Sequence, residues 1–392
     1  MLDTAAGPVK VVDADTHVAE PPDLWTARMP AKYHDALPHV ERIASSGMTH
    51  WVVGDTVLWP VGYFNVSGWT EYVPSVPGEF DMLDPAGSDA KLRLARMDEF
   101  GIDVQLLYPN LVGFQGELIR NLGPELSIEA VRVYNDFLTE WASADPSRLI
   151  PIAMLPYWDR EASVKEMQRA IGMGHRGVLF ANKFERIGLP SFTDSYWDPI
   201  YASAQELDVP INFHIGFSLP EFEDALTEAS LAEKRARSEA YRTEKALTGA
   251  LILQSQAATL GALVTSGICD RFPDLNLVSV ETGFGHIPMY FEALDWNWGT
   301  YGVKTDLLPS EYFRRQCYGT FWFERVSLRL LDLYPDNFMF STDFPHPTSL
   351  TPGPCSPADV PSSHLDEAFG SIDPVLAEKA VSGNARRLYK IA

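Results

Sequence analysis

The sequence predicts an α/β protein built as a closed (β/α)8 barrel, and three observations predict it. About eight short, near-continuously apolar runs are separated by stretches of helical spacing, the pattern of parallel strands buried on both faces. No GxGxxG or GxxxxGK[ST] follows any run, so the competing open sheet lacks the phosphate loop of its nucleotide-binding versions. A length of 392 residues suits one barrel with insertions, here read as a single domain over 1–392.

The expected strands are, in order, VKVVDADTH (9–17), IDVQLLYP (102–109), RLIPIAML (148–155), RGVLFAN (176–182), VPINFHI (209–215), LNLVSVE (275–281), a weaker RQCYGTF (315–321) and NFMFSTD (337–343). Helical spacing marks 125–143, 161–174 and 198–208 between them. Two segments exceed what a barrel needs. Residues 26–90 are rich in Pro, Gly and aromatics. They read as a packed cap, or as a lid whose Trp51, Trp59, Tyr63, Phe64 and Trp69 form the wall of an apolar substrate site. Residues 220–256, charged at first and apolar at the end, read as a helical insertion after strand 5.

A formal charge of −22 argues against nucleic acid and anionic membranes as partners. Cys269, Cys317 and Cys355 form no CxxC pair, which argues against a disulfide frame or thiolate zinc site. The start, MLDTAAGPVK, lacks a basic stretch followed by an apolar run. No apolar run approaches the roughly 18 residues of a membrane span. The expectation is a cytoplasmic protein, acting on a small apolar molecule and assembled as a homo-oligomer.

In a parallel barrel, reactive groups gather at the carboxyl ends of the strands. Strand 1 ends in Asp13, Asp15 and His17, spaced two apart and so on one face. Strand 4 ends in Asn182 and Lys183, strand 5 in His214, strand 6 in Glu281 with His286 beyond, strand 8 in Asp343 with His346 beyond. Each alone has a bland reading: a bonded structural histidine, a turn aspartate, a helix cap. Together at one mouth, the carboxylates would repel unless a cation or proton lay among them. Imidazoles with carboxylates are the ligand set of Zn, Mn or Fe.

With DADTHVAEP near the start, DEFGIDVQLLYP (98–109), PINFHIG, FSTDFPHP and the closing GNARRLYKI (383–391), the chain resembles the amidohydrolase-related family. The resemblance is to the branch of aminocarboxymuconate semialdehyde decarboxylase and the resorcylate-type decarboxylases. It implies a metal-dependent, distorted TIM barrel in which Asp15, His17, His214 and Asp343 hold one divalent metal. It departs at strand 6, where those decarboxylases place a histidine and this chain has Glu281. An added carboxylate suits more positive charge. The sequence reading is therefore a dinuclear non-heme monooxygenase, Fe/Fe or Mn/Fe, that uses O2 and hydroxylates an apolar molecule. Glu281, His286 and His346 would complete the second metal, with Glu281 and His286 also catalytic. Asp13 and Glu20 would orient ligands, and Lys183 is a candidate carbamylated lysine. One alternative is a mononuclear Zn or Mn decarboxylase or hydrolase with Glu281 in acid–base work. Another is a non-catalytic partner subunit.

Overall fold

The structure, a computed structural model, describes residues 2–4, 7–110, 116–215, 238–353 and 355–392. Strand 1 (Val11–Val18) pairs in parallel with strand 2 (Ile102–Pro109), and that with Leu149–Pro151. At Ile152 the third strand changes partners. The Ile152 N–H still reaches Leu107 O at 3.1 Å, but the Ala153 N–H turns to Gly177 O at 2.9 Å. Ala153–Met154 thus opens a second parallel sheet. It continues through Val178–Leu179, Ile211–His214, Leu277–Val280, Cys317–Phe321 and Phe338–Phe340 in sequence order. The seam between the eighth strand and the first is closed by His17 N–H to Phe344 O at 2.7 Å and Asp343 N–H to Asp15 O at 3.0 Å. The molecule is an α/β TIM barrel.

The helices expected over 125–143, 161–174 and 198–208 form as Pro124–Ala142, Arg160–Gly172 and Asp198–Leu207. Their starts follow from local chemistry. Proline stands in the first turn of the first and third, where its missing N–H costs nothing. Asp159 caps the second by accepting the Ala162 N–H at 2.9 Å.

Residues His39–Ile43, Met48–Val53 and Thr56–Pro60 pair as an antiparallel sheet. The loop beyond it reaches the barrel mouth, where the Val66 N–H bonds Pro345 O at 3.1 Å. Of the helix expected over 220–256, residues 220–237 lie outside the described ones. From Ser238 to Thr265 the chain is one helix, long and apolar enough by length and composition to cross a membrane. This corrects the expectation that no segment approaches that length. Its C-terminal half is nonetheless a barrel helix: Leu260, Leu263 and Val264 are buried. Gln256 donates to Phe213 O at 3.1 Å and Val280 O at 2.9 Å, on strands 5 and 6.

Candidate metal centre

Four strands deliver polar side chains to the carboxyl mouth of the barrel. Asp15 and His17 come from strand 1, Asp15 within and His17 just past an irregularity between Asp13 and Thr16 that breaks strict pairing with strand 2. His214 ends strand 5. Glu281 and Asp343 follow strands 6 and 8, both with left-handed backbone, φ 58° and 59°. That conformation costs a glutamate of order 1 kcal/mol and persists where the surroundings dictate it.

Three sets of donors approach within 4.8 Å of one another: Asp15, His17 and His214; His17, Asp343 and His346; Asp15, Glu281 and Asp343. His17 Nδ1 donates to Pro109 O at 2.6 Å, which turns Nε2 toward Asp15 Oδ1 at 3.6 Å and Asp343 Oδ1 at 3.3 Å. Burial, then the neighbouring His346, lowers the His17 pKa to about 4, so the ring is neutral and Nε2 carries a lone pair. His214 Nδ1 faces Ile215 O at 2.7 Å, and Nε2 lies 3.3 Å from Asp15 Oδ1. Burial opposes charge on His214, but Asp15, Ile215 O and Asp343 together outweigh it, so its pKa is raised.

Glu281 is pushed well above the usual carboxylate range by burial, then by Asp343 and Asp15. Burial works to raise Asp343 as well, but the facing rings of His346 and His17 hold it below that range. Asp15 Oδ2 is buried and accepts no hydrogen bond among the described residues. A buried carboxylate oxygen without a donor, beside two more carboxylates and three imidazoles, fits a divalent cation. The donor set passes that test.

A second layer holds these groups. Asp13 accepts from the Thr342 N–H at 2.7 Å, Thr342 Oγ1 at 2.6 Å and Gln105 Nε2 at 3.0 Å. It thereby joins strand 8 to strands 1 and 2, and burial pushes its pKa up to about 7. Arg93, fully buried, reaches Gln105 Oε1 at 3.2 Å and His17 O at 2.6 Å. Glu20 accepts the Asn110 N–H at 3.1 Å. Asn110 Oδ1 meets His346 Nε2 at 3.0 Å. His346 stacks on His17, ring centres 3.7 Å apart, and its Nδ1 lies 3.0 Å from Asp343 Oδ1.

Other expected residues fall elsewhere. His286 opens the helix Ile287–Thr300 and joins none of the three donor sets. Lys183 is half-buried at the start of a short 3-10 turn, also outside them. Trp51 is buried between Trp25 and Phe80, at 6.2 and 6.3 Å, within the cap. Trp59 is buried against Phe64 at 5.6 Å, and Trp69 is half-buried. Tyr63 hydrogen-bonds Tyr241 of the long helix. Phe64 is the cap aromatic beside the centre, 5.5 Å from the His346 ring. Arg93, Gln105 and Asn110 were not singled out from the sequence. Asn110 directly follows strand 2, so the strand-end rule applied there would have found it.

A family model described as amidohydrolase matches residues 12–391. The chain belongs to that family. This amidohydrolase is 26% identical over 360 residues to the gamma-resorcylate decarboxylase of Rhizobium sp. (strain MTP-10005), covering 87% of this chain and 96% of the relative. Among solved structures it is similar to an amidohydrolase from Mycobacterium avium subsp. paratuberculosis K-10, with a TM-score of 0.71, 20% identity, and 97% and 99% of the two chains covered. A dihydroxybenzoic acid decarboxylase from Polaromonas sp. JS666, solved with bound manganese and 2-nitroresorcinol, gives a TM-score of 0.60 at 20% identity, covering 98% and 97%.

These relatives overturn the dinuclear monooxygenase reading. A curated relative aligned over 87% of this chain is a decarboxylase, which favours the one-metal decarboxylase alternative over oxygen chemistry. Iron, a second metal and O2, expected with that reading, find no support. The error lay in letting the single residue Glu281 outweigh the resemblance carried by the rest of the chain.

Proposed function

We propose that the chain is a mononuclear metal-dependent decarboxylase acting on a flat, largely apolar carboxylic acid. The observation that carries the reading is the buried cluster of carboxylates and imidazoles at the carboxyl mouth, in a chain whose near-full-length relative is a decarboxylase. Asp15, His17, His214 and Asp343 would hold one divalent metal, and manganese is the first to try because it occupies the Polaromonas relative. When bound, the metal supplies positive charge that holds the substrate's oxygens and offsets charge developing on its ring.

The side chains do the rest. Pro109 O and Ile215 O fix the rings of His17 and His214. Glu281, against Asp343 and Asp15, is placed to give its proton to the carbon that loses CO2. The step balances as R–COO⁻ plus H⁺ giving R–H plus CO2. Phe64, beside His346, offers the substrate an aromatic face and helps to exclude water. The reading takes 1–392 as one unit, with 26–90 and 220–256 as additions to the barrel. It places the protein among soluble enzymes of small molecules.

The test is CO2 release by manganese-loaded protein from a panel of hydroxylated aromatic acids, followed also by ultraviolet absorbance. Release that depends on added metal supports the reading. No release from any of them, with hydrolysis of amides or lactones instead, would sink it.

A further inference from the structure

Glu281 keeps a strained backbone, φ 58°, and something must hold it there. The holders lie on the seventh strand and the turn after it. The Glu281 N–H donates to Thr320 Oγ1 at 2.8 Å. Two residues on, the Gly283 N–H donates to Thr320 O at 2.9 Å. Next, the Phe284 N–H donates to Glu324 Oε1 at 2.7 Å. The other oxygen of Glu324 accepts the Trp322 N–H at 2.9 Å, so one buried carboxylate bridges the turn after strand 6 and the turn after strand 7. Gly283 itself has φ 68°, and a Cβ there would lie 3.0 Å from Glu324 Oε1. The turn closes onto the carboxylate because position 283 has no side chain.

Glu324 is 9% exposed, joins none of the donor sets and has no part in the proposed reaction. Its two acceptor bonds to backbone N–H groups account for its burial. Their effect is to fix the direction in which strand 6 delivers the side chain of Glu281. We infer that Thr320 and Glu324 are positioning residues that hold the Glu281 carboxyl against Asp15, Asp343 and His214. The inference rests on the metal reading of the site and not on the reaction it catalyses.

The experiment measures Mn²⁺ affinity by electron paramagnetic resonance of the free ion, with melting of the metal-free protein alongside. It compares Thr320→Val and Glu324→Gln in the parent and in a Glu281→Ala background. Glu281→Ala is expected to weaken Mn²⁺ binding about 10-fold, the low end of the loss on removing a group beside a metal site, and each positioning change by a smaller, several-fold factor. Added to Glu281→Ala, neither should weaken it further, and Thr320→Ser should restore parent affinity. Equal effects with and without Glu281, or folded variants of parent affinity, overturn the inference. If Thr320→Val does not fold, Glu324→Gln and Thr320→Ser carry the comparison. Parent protein that binds no Mn²⁺ overturns this inference and the metal reading together. Parent protein that binds Mn²⁺ with the predicted coupling, yet decarboxylates nothing, supports the inference and sinks only the reaction.

Discussion

His17 and His214 each have one ring nitrogen fixed by a backbone carbonyl and the other turned to the carboxylates. Removing either takes away a nitrogen donor that no carboxylate replaces. His214→Ala should lower Mn²⁺ affinity by at least about 100-fold, read by equilibrium dialysis and elemental analysis. Parent metal content in that variant would remove His214 from the site. These residues were legible because strand ends in a parallel barrel face one mouth, so a residue's place along its strand gave its destination. His286 was not, because it follows a left-handed turn at Gly283, and sequence distance from Glu281 says nothing about direction after such a turn. Arg93 was not either. Its partners are largely carbonyls, Ala86 O at 2.7 Å and His17 O at 2.6 Å, and a carbonyl carries no residue identity.

Helices were legible at their ends because caps and prolines act locally, whereas strand lengths depend on neighbours. The run 176–182 shows this: only Val178–Leu179 pair as strand, although the Phe180 N–H still reaches Asn212 O at 2.9 Å. The helix Pro124–Ala142 leans on the barrel partly through His175, whose Nε2 meets Thr139 Oγ1 at 2.9 Å. Burial lowers the His175 pKa from 6.5 to about 4. The folded state therefore binds this proton less tightly than the unfolded chain. The contribution is full above about pH 6.5 and is lost as pH falls toward 4. At full extent it approaches roughly 3 kcal/mol by the conversion of 1.36 kcal/mol per pKa unit. Melting profiles between pH 7 and 4 should fall less steeply for His175→Asn than for the parent. Parallel profiles would show that His175 does not titrate in this way.

At the scale of the molecule, a formal charge of −22 works against compactness through self-repulsion. Raising salt from about 10 to 300 mM shortens the screening length from roughly 30 Å to under 10 Å. The melting temperature should rise by a few degrees over that range. A fall would mean that attractive pairs, such as Arg386 with Asp103 at 2.6 Å, outweigh the repulsion. Much of the barrel was legible at this scale too, since its parallel strands follow sequence order. The split of strand 3 between two sheets was not, because it depends on how far the barrel must shear to close.

That closure has a consequence in time. Among the described residues, the free edge of strand 1 is covered by the segment around Phe344, through His17 N–H to Phe344 O, Asp343 N–H to Asp15 O and the Thr342 bonds to Asp13. During synthesis at about 5–20 residues per second, Val11–Val18 leaves the ribosome roughly half a minute before its last partner exists. Through that interval the N–H and C=O groups along this edge lack a strand partner, the state in which an edge pairs with another chain. A delay in making the Phe344 segment should therefore raise aggregation of the growing chain, which a pulse-labelled solubility assay would read.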